Sequence, residues 1–154
     1  MKSHSKLVAA KSLLILLCLT LFSFSPQRGG DSFEILLNGK RVLQQFVYAS
    51  KGLQTIQLTP VSDNDNLDIY YNHCGRVGTN RCITIKNEKD QPLKVWKLQD
   101  AVDKNGAMSF KLKDILSLRK NKTDKLNLFY SSSELPSGRT LAVIAGEETG
   151  VARK

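Results

Sequence analysis

The stretch Tyr70-Tyr71-Asn72-His73-Cys74-Gly75-Arg76-Val77-Gly78-Thr79-Asn80-Arg81-Cys82 gathers the side chains best suited to chemistry. It holds a histidine, two thiols and two arginines. If Leu67, Ile69 and Tyr71 face a core, the two-residue period of a strand turns Asn72 and Cys74 to the opposite face. Ile83 and Ile85 turned inward place Cys82 on that same outer face. The two thiols are therefore expected to meet across a hairpin as a Cys74–Cys82 disulfide. Closing so short a loop would stabilise by about 2–3 kcal/mol in the chain-entropy account.

A metal site on His73, Cys74 and Cys82 has three ligands where a closed zinc site wants four. A Cys–His nucleophile pair meets a directional obstacle, because adjacent strand residues point apart. Gly75 and Gly78 match no phosphate-loop spacing, and no helix follows them. His73, Arg76 and Arg81 are expected to form a contact loop, with the imidazole at a strand end.

Carboxylates pair at Asp63 with Asp65, at Asp100 with Asp103 and at Glu147-Glu148. The first alternates like calcium ligands, yet lacks both the glycine at the sixth loop position and the distant bidentate glutamate, so a turn is expected. Glycoside hydrolysis needs two carboxylates facing one cleft, which no spacing here dictates. Asn121-Lys122-Thr123 fits a glycosylation acceptor. Trp96, between Val95 and Lys97, reads as core in preference to a sugar platform.

Lys111, Lys113, Arg119, Lys120, Lys122 and Lys125 form a cationic stretch interrupted by Asp114 and Asp124. It is a solvated face or a contact for anionic glycan or lipid. Phe110 and Phe129 keep strand-core spacing, so base stacking on nucleic acid is not expected. No catalytic, cofactor-binding or metal-binding set converges, and no enzymatic activity and no cofactor are expected.

The elements that must position these residues are short strands. Phe33, Ile35 and Leu37 alternate, Asn38-Gly39 follows, and Val42, Gln44 and Phe46 continue on a second limb. A two-residue type I′ turn needs positive φ at both positions, which Asn-Gly tolerates best, so Ile35 is expected to face Val42 and Phe33 to face Gln44. Further runs cover residues 54–59, 67–72, 82–86, 93–98, 107–112, 126–131 and 140–145. Turn chemistry separates them at 62–66, 87–92, 105–106 and Pro136-Ser137-Gly138. Leu112, Ile115, Leu116 and Leu118 fit a short amphipathic helix ending before Asn121. Nine strands and no long crossover helix predict a mainly β fold, an antiparallel sandwich or flattened barrel.

The chain opens with Lys2, Lys6 and Lys11 and runs apolar from Leu13 to Phe24, the order of an export signal. About 12 apolar residues span about 18 Å as a helix, short of a hydrocarbon core of about 30 Å. Ser23 and Ser25 supply the small residues of a cleavage site, against which Pro26 stands with its fixed φ. Cleaved export to the periplasm or cell exterior is therefore expected. A membrane tether through residues 12–25, or a lipid on Cys18, is the alternative.

Loss of residues 1–25 removes three lysines and no acid, lowering the formal charge from +9 to +6. The domain plan is a signal at 1–25, a lead-in at 26–31, one β-sandwich domain at 32–146 and a polar tail at 147–154.

The strings Asp31-Ser32-Phe33-Glu34-Ile35-Leu36-Leu37-Asn38-Gly39-Lys40, Asn72-His73-Cys74-Gly75 and Tyr130-Ser131-Ser132-Ser133-Glu134-Leu135-Pro136 are similar to small exported bacterial β-rich proteins of unassigned function. The resemblance implies a small envelope β-domain and carries no activity or site residues. The chain thus reads as a non-enzymatic binding or structural module whose partner is a protein or envelope glycan. A cationic protein on anionic glycan or lipid is the alternative, and a small hydrolase stands third.

Overall fold

A computed structural model describes residues 30–49, 52–58, 62–102 and 106–146. The signal segment, the lead-in before Gly30, Asp103 and the 147–154 tail lie outside the described residues.

The fold is mainly β, with one short α-helix among the described residues. The strands are β1 (Ser32–Leu37), β2 (Lys40–Phe46), β3 (Gln54–Ile56), β4 (Asn66–Asn72), β5 (Cys82–Lys86), β6 (Pro92–Lys97), β7 (Met108–Lys111), β8 (Leu126–Ser132) and β9 (Leu135–Ile144). They form a four-stranded sheet, order β2-β1-β4-β7, and a five-stranded sheet, order β3-β9-β8-β5-β6.

Alternation builds the core from both sheets. Phe33, Ile35, Leu67, Ile69 and Tyr71 of the first share one buried cluster with Ile83, Ile85, Leu128, Tyr130 and Ile144 of the second. The Tyr71 ring stacks on Tyr130 at 4.4 Å between centroids, and Trp96 of β6 tilts against Phe110 of β7 at 5.1 Å. Trp96 is thus a core-packing residue, as its alternation suggests.

The β1–β2 hairpin forms at Asn38-Gly39, whose φ angles of 50° and 77° suit a type I′ turn. The expected register is displaced. A bulge between Ile35 and Leu36 leaves Val42 exposed, so Ile35 pairs with Leu43 and Phe33 with Gln45.

Three further expectations are corrected. The segments 67–72 and 82–86 are not partners across a hairpin: β4 pairs with β1 and β7, β5 with β6 and β8. The segment 73–81 therefore crosses between sheets. Pro136-Ser137-Gly138 is strand, and the turn falls at Ser133-Glu134, next to the Ser132–Leu135 pair. Gly138, at φ 63°, lets β9 continue past the Phe129 ring, which leaves no room for a Cβ there. Finally, β3 runs parallel to β9. A parallel pair needs a long connection, and the strands β4–β8 supply one without a crossover helix.

Helix α1 (Leu112–Leu116) follows β7 directly and buries Leu112 and Ile115, with Leu116 and Leu118 packed beside them. Its start is tied by Leu112 N–H donating to Asp65 O. The Asp65 carboxylate accepts from Asn38 Nδ2 at 2.9 Å and from Ser62 N–H at 3.1 Å. The acidic run at 63–66 is thus a turn, its buried carboxylate joining the β1–β2 turn to the loop before β4.

Candidate functional site

Polar residues enter the core where β4 and β8 run out of aliphatic ones. The inward face of β4 reads Leu67, Ile69, Tyr71 and, one step beyond the strand, His73; that of β8 reads Leu126, Leu128, Tyr130, Ser132. His73 is fully buried. Its Nε2 lies 2.9 Å from Tyr130 Oη and 3.2 Å from Ser132 Oγ. Its Nδ1 faces Asp31 Oδ2 at 3.7 Å, and that oxygen accepts a hydrogen bond from Tyr71 Oη at 3.0 Å.

Burial lowers the imidazole pKa, overcoming the charges of Asp31 and Glu134 that raise it. Burial also raises the pKa of Tyr130, so its phenol stays protonated beside Nε2, while Nδ1 is buried without a hydrogen-bond partner.

Ser132, His73 and Asp31 thus stand in the order of a nucleophile, base and orienting acid. The surroundings do not serve that chemistry. Ser132 Oγ is buried and accepts from Leu135 N–H at 3.2 Å. Tyr130 shares the imidazole nitrogen a serine would need. Over the ring lies Gly78, where a Cβ would stand 3.3 Å from His73 Cδ2 and 3.1 Å from Tyr130 Oη.

The loop is held down on both sides. Thr79 donates through N–H and Oγ1 to the Glu134 carboxylate, at 2.9 and 2.8 Å. Burial pushes that carboxyl's pKa up, but the Thr79 bonds, with its own N–H and Ser132, overcome it and hold it at about 2. Asn80 donates to Asp100 and Ser133, and Ala101 N–H to Gly78 O. The buried Arg81 donates Nε and Nη2 to Gln99 O and Nη1 to Gly106 O.

Of the expected contact loop, only Arg76 is exposed; His73 and Arg81 are buried and unavailable to a partner. The inward period of β4 runs one residue past its last paired position and carries His73 with it. The Cys74–Cys82 disulfide is also corrected: both thiols are free. Cys74 is exposed in a turn at φ 54°, while Cys82 opens a strand of the other sheet, its thiol 3.8 Å from Asn80 O. No group of three or more His, Cys, Asp or Glu side chains able to hold a metal occurs among the described residues. No helix among them is long and apolar enough to cross a membrane.

The cationic stretch divides. Lys111 and Lys113 lie at β7 and α1, Lys111 Nζ donating to Asn64 O. Lys122 is exposed in the following turn. Arg119, Lys120 and Lys125 instead line a cleft of about 350 Å³, joined by Lys89 from the β5–β6 turn, over Leu93, Leu118 and Leu126. Lys89 had no place in the linear stretch and is a residue that charge runs miss.

Asp31, Tyr130, Ser132 and Glu134 were likewise outside the expected site. For Tyr130 and Ser132 the sequence signal is the change from aliphatic to polar along the inward positions of β8. Comparison with known proteins adds no family: no family model matches the chain, and no curated protein matches it.

Proposed function

We propose that the protein is an exported, non-enzymatic β-sandwich that acts as a binding or structural module in a bacterial envelope or outside the cell. Export rests on the Lys2–Phe24 pattern. The sandwich rests on two sheets that share one hydrophobic cluster.

The observation that carries the non-enzymatic reading is the enclosure of His73. Among the described residues, the constellation with the order of a catalytic triad has its histidine and serine buried, the imidazole beneath Gly78, and its hydroxyls are engaged. The imidazole Nε2 and the Tyr130 and Ser132 hydroxyls hold one another in one core arrangement, which suits a scaffold. Binding then falls to the surface. The edge strands β2 and β6 expose Val42, Phe46, Leu93 and Val95 beside unpaired backbone groups.

The test is a fluorophosphonate probe, which captures serines activated by a histidine. The expected result is no labelling of Ser132. Stoichiometric labelling, lost in Ser132→Ala and in His73→Gln at retained fold, would reinstate the hydrolase.

A second reading, a cationic surface that meets anionic glycan or lipid, is favoured by the convergence of Arg119, Lys120, Lys125 and Lys89 on one cleft. Binding unchanged between low and physiological salt would remove it.

A further inference from the structure

The cleft between the β5–β6 turn and the 118–125 segment is lined by groups of both signs, and the question is which have bonding capacity left. The acids are engaged within the protein, though each keeps its charge. Glu88 Oε1 accepts Lys125 N–H at 3.0 Å, and Asp124 accepts Asn121 N–H at 3.0 Å together with the Asn121 amide. Asn87 is committed as well: its Oδ1 accepts from Lys89 and Gln91 N–H, and its Nδ2 donates to Gln91 Oε1.

The ammonium groups of Lys89 and Lys125 make no hydrogen bond or ion pair among the described residues. Lys120 lies close enough to Asp124 to lower its pKa, though less than the Asn121 hydrogen bonds do. What the cleft offers is therefore several N–H donors and net positive charge, with Leu93, Leu118 and Leu126 also in its lining.

The donor set also selects among anions. A carboxylate is best met by the planar fork of a free arginine. Here the Arg119 fork is turned inward, its Nη2 donating to Ala145 O. Ammonium point charges arriving from separate segments suit an anion whose oxygens diverge tetrahedrally. We infer that this cleft binds a phosphate ester, an inference that rests on the cationic-surface reading above and names its ligand class. Its volume, about 350 Å³, falls at the lower end of small-ligand pockets. That admits a phosphate with the sugar or glycerol that carries it, so the source is a soluble sugar phosphate or a phospholipid headgroup.

The experiment titrates the full chain with inorganic phosphate and glucose 6-phosphate by calorimetry. In parallel it measures sedimentation with phosphatidylcholine vesicles with and without phosphatidylglycerol. Two charge-matched variants are compared, Lys89→Gln/Lys125→Gln in the cleft and Lys40→Gln/Lys97→Gln away from it, each with its thermal midpoint. The expected result is binding in one arm that falls about tenfold in the cleft variant and stays within about twofold of wild type in the other.

A soluble-arm response assigns a sugar phosphate, and a response confined to phosphatidylglycerol assigns a headgroup. Equal loss in both variants would overturn the cleft while keeping a diffuse cationic surface. Vesicle binding that survives the cleft substitutions would place it elsewhere on the chain and overturn the cleft too. No binding in either arm would overturn both readings.

Discussion

Burial favours a neutral imidazole in the core because the cation would lose its hydration, and this ties His73 to acid stability. Unfolded, the ring titrates at its ordinary 6.5; folded, burial lowers that value against the opposing pull of Asp31 and Glu134, with Arg76 adding to the lowering. Tyr71 and Tyr130, the other titratable groups around the ring, are both raised, burial being the largest cause, and stay neutral. A depressed histidine gives stability that is complete above 6.5 and lost as pH falls below it, since the unfolded chain takes up the proton first. Glu134 behaves likewise lower down, its contribution present above the ordinary 4.5 and lost toward about 2. The urea midpoint should therefore be level above about pH 7, decline as pH falls below 6.5, and decline again below 4.5. In His73→Gln the first decline should flatten, at lower stability throughout, because Tyr130 and Ser132 lose their shared nitrogen. An equally steep first decline in the variant would assign that proton to another group.

Between elements, Asp65 shows how a turn residue acquires structural weight. Its carboxylate holds Asn38 and Ser62 while its carbonyl receives the first N–H of α1, so the β1–β2 turn, the approach to β4 and the helix start share one residue. Asp65→Ala would leave those donors without their buried acceptor, an expected loss of about 1–3 kcal/mol, whereas Asp65→Asn keeps one acceptor oxygen and should recover part of it. Chemical denaturation of the two variants checks the order, and an alanine variant as stable as wild type would show that water replaces the carboxylate. Local signals revealed the Asn38-Gly39 turn, the strand 82–86 and the helix on Leu112 and Ile115, because each depends on neighbours in sequence. The bulge at Ile35/Leu36 and the start of β9 were not legible. Both are set by pairing across strands, and Pro136 with Gly138 gives a turn signal that the edge of a bulged strand also tolerates.

Across the whole molecule, partners distant in sequence decide what neighbours cannot. Asp31 meets Tyr71, His73 meets Ser132, and Thr79 meets Glu134 only because β1, β4 and β8 are brought together by two sheets closing on one cluster. That is why His73 was visible as a distinctive residue while its partners were not, and why Asp31 read as lead-in. The cysteine expectation failed at the same scale, since it took two strands adjacent in sequence to be adjacent in space. A cluster drawn from both sheets makes neither sheet stable alone, so unfolding should be one cooperative event. Trp96 reports on this directly. It belongs to the five-stranded sheet and packs on Phe110 of the four-stranded one, so its fluorescence follows contact between sheets, whereas far-UV circular dichroism follows the strands themselves. The two denaturation curves should superimpose, and Phe110→Leu, which weakens the inter-sheet contact without emptying it, should shift both midpoints down together by an amount equivalent to about 1 kcal/mol. A fluorescence transition that comes first would instead mean that the sheets separate before their strands melt, which one shared core does not allow.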